Sequence, residues 1–295
     1  MNKLEQFEHN RPLLFSIAYR MLGTVMEAEE MVQESFLRWQ NATTKQIKQP
    51  KAYLCSITTR LCIDYLRSAR VKREEYIGPW LPEPLMSNKM PDVGERVALI
   101  DSISTAFLML LETLTPVERA VFLLHDVFDY EYATVAGVVG KSESNCRQIA
   151  HRARKRIVAD RPRFKPSAER QQQLAQQFIQ TCANGDMSSL LQLLADDVVL
   201  YSDGGGKRAA ARKPIHGATR VARFLLGISR KAPPNMSIQP TAINSQPGLI
   251  VYLEGEPYLT FTFHIANEQI QTIYGVLNPD KLQHVPPYDL VNCEL

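Results

Sequence analysis

The chain has 295 residues, 45% hydrophobic and 22% charged, an ordinary globular balance and length enough for two or three domains. No apolar run approaches the ~18 residues of a membrane helix, and the opening MNKLEQFEHNRPLL has no signal-peptide core, so the sequence predicts a cytoplasmic protein with no membrane partner. Five cysteines (Cys55, Cys62, Cys146, Cys182, Cys293) form no CxxC pair, which argues for small buried thiols and against a disulfide framework or a metal site.

Helical periodicity dominates the first 160 residues. Ala28, Met31, Val32, Ser35, Phe36 and Trp39 fall on one helix stripe, and Leu54, Ile57, Leu61, Tyr65 and Leu66 on another. Residues 71 to 91 break the pattern: Gly78, Pro79, Pro82, Pro84 and Pro91 predict a linker with little room for helix. A long amphipathic helix is expected from about Asp92 to Leu111. Thr115-Pro116-Val117-Glu118 then reads as a helix start, with Thr115 as cap, Pro116 in the first helical position and Glu118 completing a capping box.

Residues 130–158 carry the most specific local pattern. Glu131 to Val139 predicts a short helix, Gly140 a turn, and Ser142 the cap of a second helix. In that second helix Cys146, Ile149 or Ala150, Ala153 and Ile157 share one face, while Ser144, Arg147, Gln148, His151, Arg152 and Lys155 share the other. A recognition helix needs this division: an apolar face for docking and long polar arms for the major groove. Net charge is only +3, but from Lys141 to Arg170 bases outnumber acids, which suits a polyanionic partner.

A second basic, proline-containing linker follows at Asp160–Pro166. Helices are then expected at 168–184, 187–195 and 217–229. Alternation at Leu249/Val251/Leu253, Leu259/Phe261/Phe263/Ile265 and Ile270/Thr272/Tyr274/Val276 predicts strands. Helices followed by a meandering antiparallel sheet indicate an α+β domain.

Two segments match one family at the right separation. Ala28-Glu-Glu-Met-Val-Gln-Glu-Ser-Phe-Leu-Arg-Trp39 resembles region 2 of the sigma-70-type RNA polymerase specificity subunits, and Lys51-Ala-Tyr-Leu-Cys-Ser-Ile-Thr-Thr-Arg-Leu-Cys-Ile-Asp-Tyr-Leu-Arg67 resembles its continuation. Leu114–Leu124 with the helix-turn-helix is similar to region 4. Trp80-Leu-Pro-Glu-Pro-Leu85, Asp203-Gly-Gly-Gly-Lys207 and Asn278-Pro-Asp-Lys-Leu282 resemble patches of the SigJ-like group of extracytoplasmic-function sigma factors, whose C-terminal extension is SnoaL-like.

The resemblance implies a multidomain chain: two all-α sigma domains, the second with the helix-turn-helix, then an α+β cone-shaped SnoaL-like domain. Its expected parts are region 2 over 1–75, a linker over 76–97, region 4 over 98–160, a second linker over 161–167, and the SnoaL-like domain over 168–295. It also implies partners: the β′ and β subunits of core RNA polymerase, and promoter DNA. Glu27, Glu30 and Glu34 are the expected polymerase contacts. Ser144, Arg147, Gln148, His151, Arg152 and Lys155 are expected at the −35 element. Arg60, Arg67, Arg70, Lys72 and Arg73 are expected on the −10 strand backbone, and the loop from Asn41 to Pro50 at its unpaired base.

Trp80, Leu81, Pro82, Glu83, Pro84 and Leu85, with Asp203, Gly204, Gly205, Gly206 and Lys207 and with Asn278, Pro279, Asp280, Lys281 and Leu282, are expected to form a regulatory contact. A sigma factor does no covalent chemistry and needs no cofactor or metal, so no enzyme activity is expected, although Tyr201, Asp203, His216 and His264 could meet as acid–base groups. A C-terminal pocket could hold an unidentified small ligand. The competing interpretation is a one-component helix-turn-helix regulator with a ligand-binding SnoaL-like domain.

Overall fold

The computed structural model describes residues 2–43, 47, 49–74, 76–86, 103–158 and 167–288, leaving the side chains at 69–74, 158 and 168 outside that set. Two compact units emerge: residues 1–75 with 89–161, and residues 76–88 with 162–295.

In the first unit, α1 (Lys3–Leu22), α2 (Val25–Asn41) and α3 (Pro50–Glu74) pack around Leu14, Ile17, Tyr19, Leu22, Trp39 and Leu54. The α2 stripe points inward as its periodicity predicts: Ala28, Met31, Val32, Ser35 and Trp39 are buried. Ser35 and Thr58 hydroxyls meet at 2.8 Å, so a buried polar pair joins α2 to α3. Helix α3 continues to Glu74, into the stretch expected to be helix-poor.

Ser104 caps α4 (Thr105–Glu112), so the helix expected from Asp92 to Leu111 does not run unbroken; its first part lies outside the described residues. The Thr115–Glu118 capping box opens α5 (Pro116–Phe122), which passes into a π-helical turn, Leu123–Val127. Helix α6 (Tyr132–Val139) ends at Gly140, whose φ of 66° is the left-handed conformation that glycine adopts without a Cβ penalty. Helix α7 (Glu143–Val158) follows.

The second unit opens with α8 (Ala168–Asn184) and α9 (Met187–Leu193), then β1 (Leu194–Asp203), β2 (Ile215–His216), α10 (Ala218–Ser229), β3 (Met236–Ile243), β4 (Gln246–Leu253), β5 (Glu256–Ala266) and β6 (Gln269–Val276). The sheet order is β2-β1-β6-β5-β4-β3. The expected antiparallel meander needs one correction, because β1 pairs with β6 in parallel and makes the sheet mixed.

The three helices cover one sheet face. Phe178, Leu190, Val221 and Leu225 there meet Leu200, Phe261, Phe263 and Ile273 in a single core. The expected alternation in β6 also shifts. A bulge between the His264–Thr272 and Ile265–Ile270 pairs puts Ile270 and Ile273 in the core, not Ile270 with Thr272 and Tyr274.

Candidate nucleic-acid interface and linker seat

The helix-turn-helix is built from local rules. Ser142 Oγ accepts the Asn145 amide at 3.2 Å, and Cys146, Ile149, Ala150, Ala153 and Ile157 are buried. Ser144, Arg147, Gln148, His151, Arg152 and Lys155 are all exposed on the opposite face. Arg147 pairs with Glu143 at 3.2 Å and lies over the Tyr132 ring at 5.0 Å, which holds its guanidinium forward at the start of the helix. Two neighbouring bases belong to the fold instead. Arg154 donates to Asp126 at 2.6 Å, and Arg156 to Glu118 at 2.8 Å. Burial pushes the Glu118 carboxyl up, but hydrogen bonds from Thr115 and the charge of Arg156 outweigh it and hold the group below the usual range.

Region 2 side chains divide in the same way. Glu27 accepts from the Thr24 hydroxyl and the Tyr65 hydroxyl, each at 2.6 Å, and so ties α2 to α3. Glu34 pairs with Arg38 at 2.9 Å on the surface, and Glu30 is exposed. Arg67 is exposed, 3.5 Å from Asp64.

Arg60, expected on the −10 strand, is also engaged within the fold. Its Nε donates to Val138 O at 2.9 Å and its Nη2 to Gly137 O at 2.6 Å, so it closes the carbonyl end of α6. Arg119 does the same for α1, donating to Met21 O at 2.6 Å. The side chains of Arg70, Lys72 and Arg73 lie outside the described residues, as do Thr44, Lys45, Gln46 and Lys48 of the loop expected at the −10 base.

In the second unit, residues 76–86 form a strap on the sheet domain. Asp203 is fully buried, and its alternation with Leu200 places it on the sheet face away from the helices. Its Oδ1 accepts from the Tyr76 hydroxyl at 2.6 Å and the Gly205 amide at 3.0 Å. Its Oδ2 accepts from the Leu81 amide at 2.9 Å and Lys281 Nζ at 2.8 Å. Lys281 also donates to Leu81 O and lies 4.3 Å from the Trp80 ring centroid. Asn278 Nδ2 donates to the Tyr76 hydroxyl at 2.9 Å. A Cβ at Gly205 would stand 2.3 Å from that same amide, so the close approach needs glycine.

Further along, Leu81, Pro82, Glu83, Pro84 and Leu85 are buried. Leu85 and Asn244 exchange hydrogen bonds, and the Glu83 carboxylate meets His284 Nδ1 at 2.7 Å. Lys207 and Asp280 add an exposed pair at 2.6 Å.

The acid–base grouping does not form. All the Asp203 oxygens are occupied, Tyr201 stacks on Tyr274 at 5.7 Å, and His216 is exposed on β2. Beside the strap lies a cavity of about 390 Å³ lined by Ile77, the glycine loop, Arg208 and Arg212. No group of His, Cys, Asp and Glu among the described residues could hold a metal, and no described helix is long and apolar enough to cross a membrane.

Sigma-70 region 2 matches residues 6–71 and Sigma-70 region 4 matches residues 104–157. The ECF RNA polymerase sigma factor SigJ of Mycobacterium tuberculosis is 33% identical over 96% of this chain and 94% of its own length. The chain belongs to the extracytoplasmic-function sigma factors. SigG of the same organism is 25% identical over 88% of this chain and 76% of its own. The crystal structure of SigJ matches at a TM-score of 0.75 and 31% identity, covering 94% of this chain and 97% of that one.

The sigma factor thus combines two helical sigma regions with a C-terminal α+β domain, as its match to SigJ over nearly the whole chain supports. The match of region 2 ahead of the helix-turn-helix is what a one-component regulator would lack. A strap-and-seat arrangement has no periodic signature, so the residues beyond the expected patches, Tyr76, Asn244 and His284, could not be picked out from sequence.

Proposed function

We propose that this sigma factor directs core polymerase to promoters and that its C-terminal unit sets that output in cis through the linker strap. The exposed face of α7 reads the −35 element: Arg147 and Gln148 suit base edges, and Lys155 suits a phosphate. Glu30 and Glu34 offer the polymerase contact, while Glu27 supports them from within the fold. Arg67, exposed on α3, offers a contact to the −10 strand. The observation that carries the regulatory reading is Asp203, whose carboxylate holds the linker, the glycine loop and the tail together at one buried point. The segment seated there also connects region 2 to region 4, so its seat constrains that connection.

The test is transcription reconstituted with core polymerase. Glu30→Lys with Glu34→Lys should weaken core binding and leave helical content unchanged. Trp80→Ala, Asp203→Asn and a chain ending near Pro166 should each change transcript yield. If the truncated chain and both linker-seat variants transcribe like the full chain, regulation in cis is wrong; if the double Lys variant binds core normally, the polymerase contact is wrong.

A further inference from the structure

Between Asp203 and Glu254 the sequence contains no Asp or Glu, while eight Lys or Arg fall in that interval. The structure arranges four of them in a line. Helix α10 buries Val221, Ala222, Leu225 and Leu226 against the sheet. At 100° per residue, Arg220 and Arg223, together with Arg230 at the helical C-cap and Lys231 just past it, fall on the opposite side, and all four are exposed. The stripe runs about 15 Å along the axis, at 1.5 Å per residue from Arg220 to Arg230.

Folding alone does not account for these charges. Elsewhere in the chain Arg154, Arg156, Arg170 and Lys207 each meet a carboxylate. Among the described residues, none does so for the four on this stripe. Arg220 sits in the first turn of α10, where the helix dipole disfavours a cation and no acidic residue offsets it. The helix is fixed on the sheet core, so the line of charge is presented on a rigid surface.

We propose that this face of α10 is a second DNA contact of the sigma factor, one that takes promoter phosphates irrespective of sequence. Duplex DNA presents one negative charge per ~1.7 Å of axis, so a 15 Å line of cations meets several phosphates at once. DNA is favoured over an acidic protein because the chain belongs to a family that works on promoter DNA, and because like charge spread over ~15 Å with no acid beside it matches a phosphate backbone better than a single carboxylate.

The test uses holoenzyme assembled from core polymerase and the full chain, with promoter binding measured across a salt series. The Arg220→Gln/Arg223→Gln/Arg230→Gln/Lys231→Gln variant should lower the log–log salt slope by about 0.9 for each phosphate it no longer neutralises, and weaken binding at least tenfold at low salt. A companion variant with lysine in place of the three arginines, keeping Lys231, should retain the wild-type slope. An unchanged slope in the Gln variant overturns the proposal, and so does equal impairment of the two variants, which would mark a structural role. Weakened binding to core polymerase with an unchanged promoter slope also overturns it, by assigning the face to a protein partner.

Discussion

The outer face of α7 and the seat of the linker strap use similar residue types for opposite ends. On α7 the polar side chains stand in solvent, with Gln148, His151, Arg152 and Lys155 all exposed. At the seat, Asp203 and Lys281 are buried and their hydrogen-bonding capacity is filled by the strap, the glycine loop and each other. A surface meant to read a partner keeps its groups uncommitted. A surface meant to hold a segment of its own chain saturates them, since a buried charge without a partner is costly. Exposure therefore separates residues whose loss affects binding from those whose loss affects folding.

The largest expected effect follows from the saturated side. Asp203→Ala leaves the Lys281 ammonium buried beside Trp80 and should cost about 3–5 kcal/mol. Urea unfolding followed by Trp80 fluorescence in a Trp39→Phe background measures it, and an Asp203→Leu/Lys281→Met pair should recover part of the loss. A single substitution costing under about 1 kcal/mol would show that the seat is open to water.

On the reading face, Gln148→Ala should leave stability unchanged, Arg147→Ala should lose only its surface contacts to Glu143 and Tyr132, and each should cost about 1–3 kcal/mol of discrimination at individual −35 base pairs. Lys155→Ala should weaken binding evenly across sequences. Equal profiles for all three on a panel of substituted promoters would mean that α7 faces the groove differently.

The smallest effect sharpens the contrast within region 4 itself. Thr115→Ala should cost about 1 kcal/mol of stability by removing the cap. Because the Glu118 carboxyl is held below its ordinary range in the folded chain, its contribution is complete above that range and disappears as pH falls through the folded value. Denaturation midpoints measured toward acid pH should therefore fall less steeply for Glu118→Gln than for the parent chain.

What could be read in advance follows the locality of the interactions. The capping box, the Gly140 turn and both faces of α7 depend on neighbours a few residues apart, and they stand as periodicity predicts. Strand β1 escaped because Asp196 and Asp197 interrupt its alternation, with the burial pattern BBeeBiBiBB. Strand β3 escaped because it is an edge strand with only Ile243 buried, and it tolerates Pro240. The parallel β1–β6 pairing joins segments far apart in the chain, and no local pattern announces it. The linker and tail motifs were visible only as a resemblance, and their shared point, Asp203, needed the fold. The acid-free interval that precedes Glu254 was present in the sequence throughout; the helix geometry of α10 turned it into a line.

Arg60 carries a consequence for affinity. Its guanidinium cannot rest on the carbonyls of Val138 and Gly137 and on a promoter phosphate at once. Any DNA contact through Arg60 competes with the end of α6 for the same donors. The affinity measured for that contact is then the intrinsic value scaled by the fraction of molecules in which the carbonyls have been released. A bias of about 1.4 kcal/mol toward the bound carbonyls, on the order of one net hydrogen bond to a charged group, lowers it about tenfold. If Arg60 does reach a promoter phosphate, promoter strength would be set partly by the protein's own internal competitor, with no change in the DNA sequence being read.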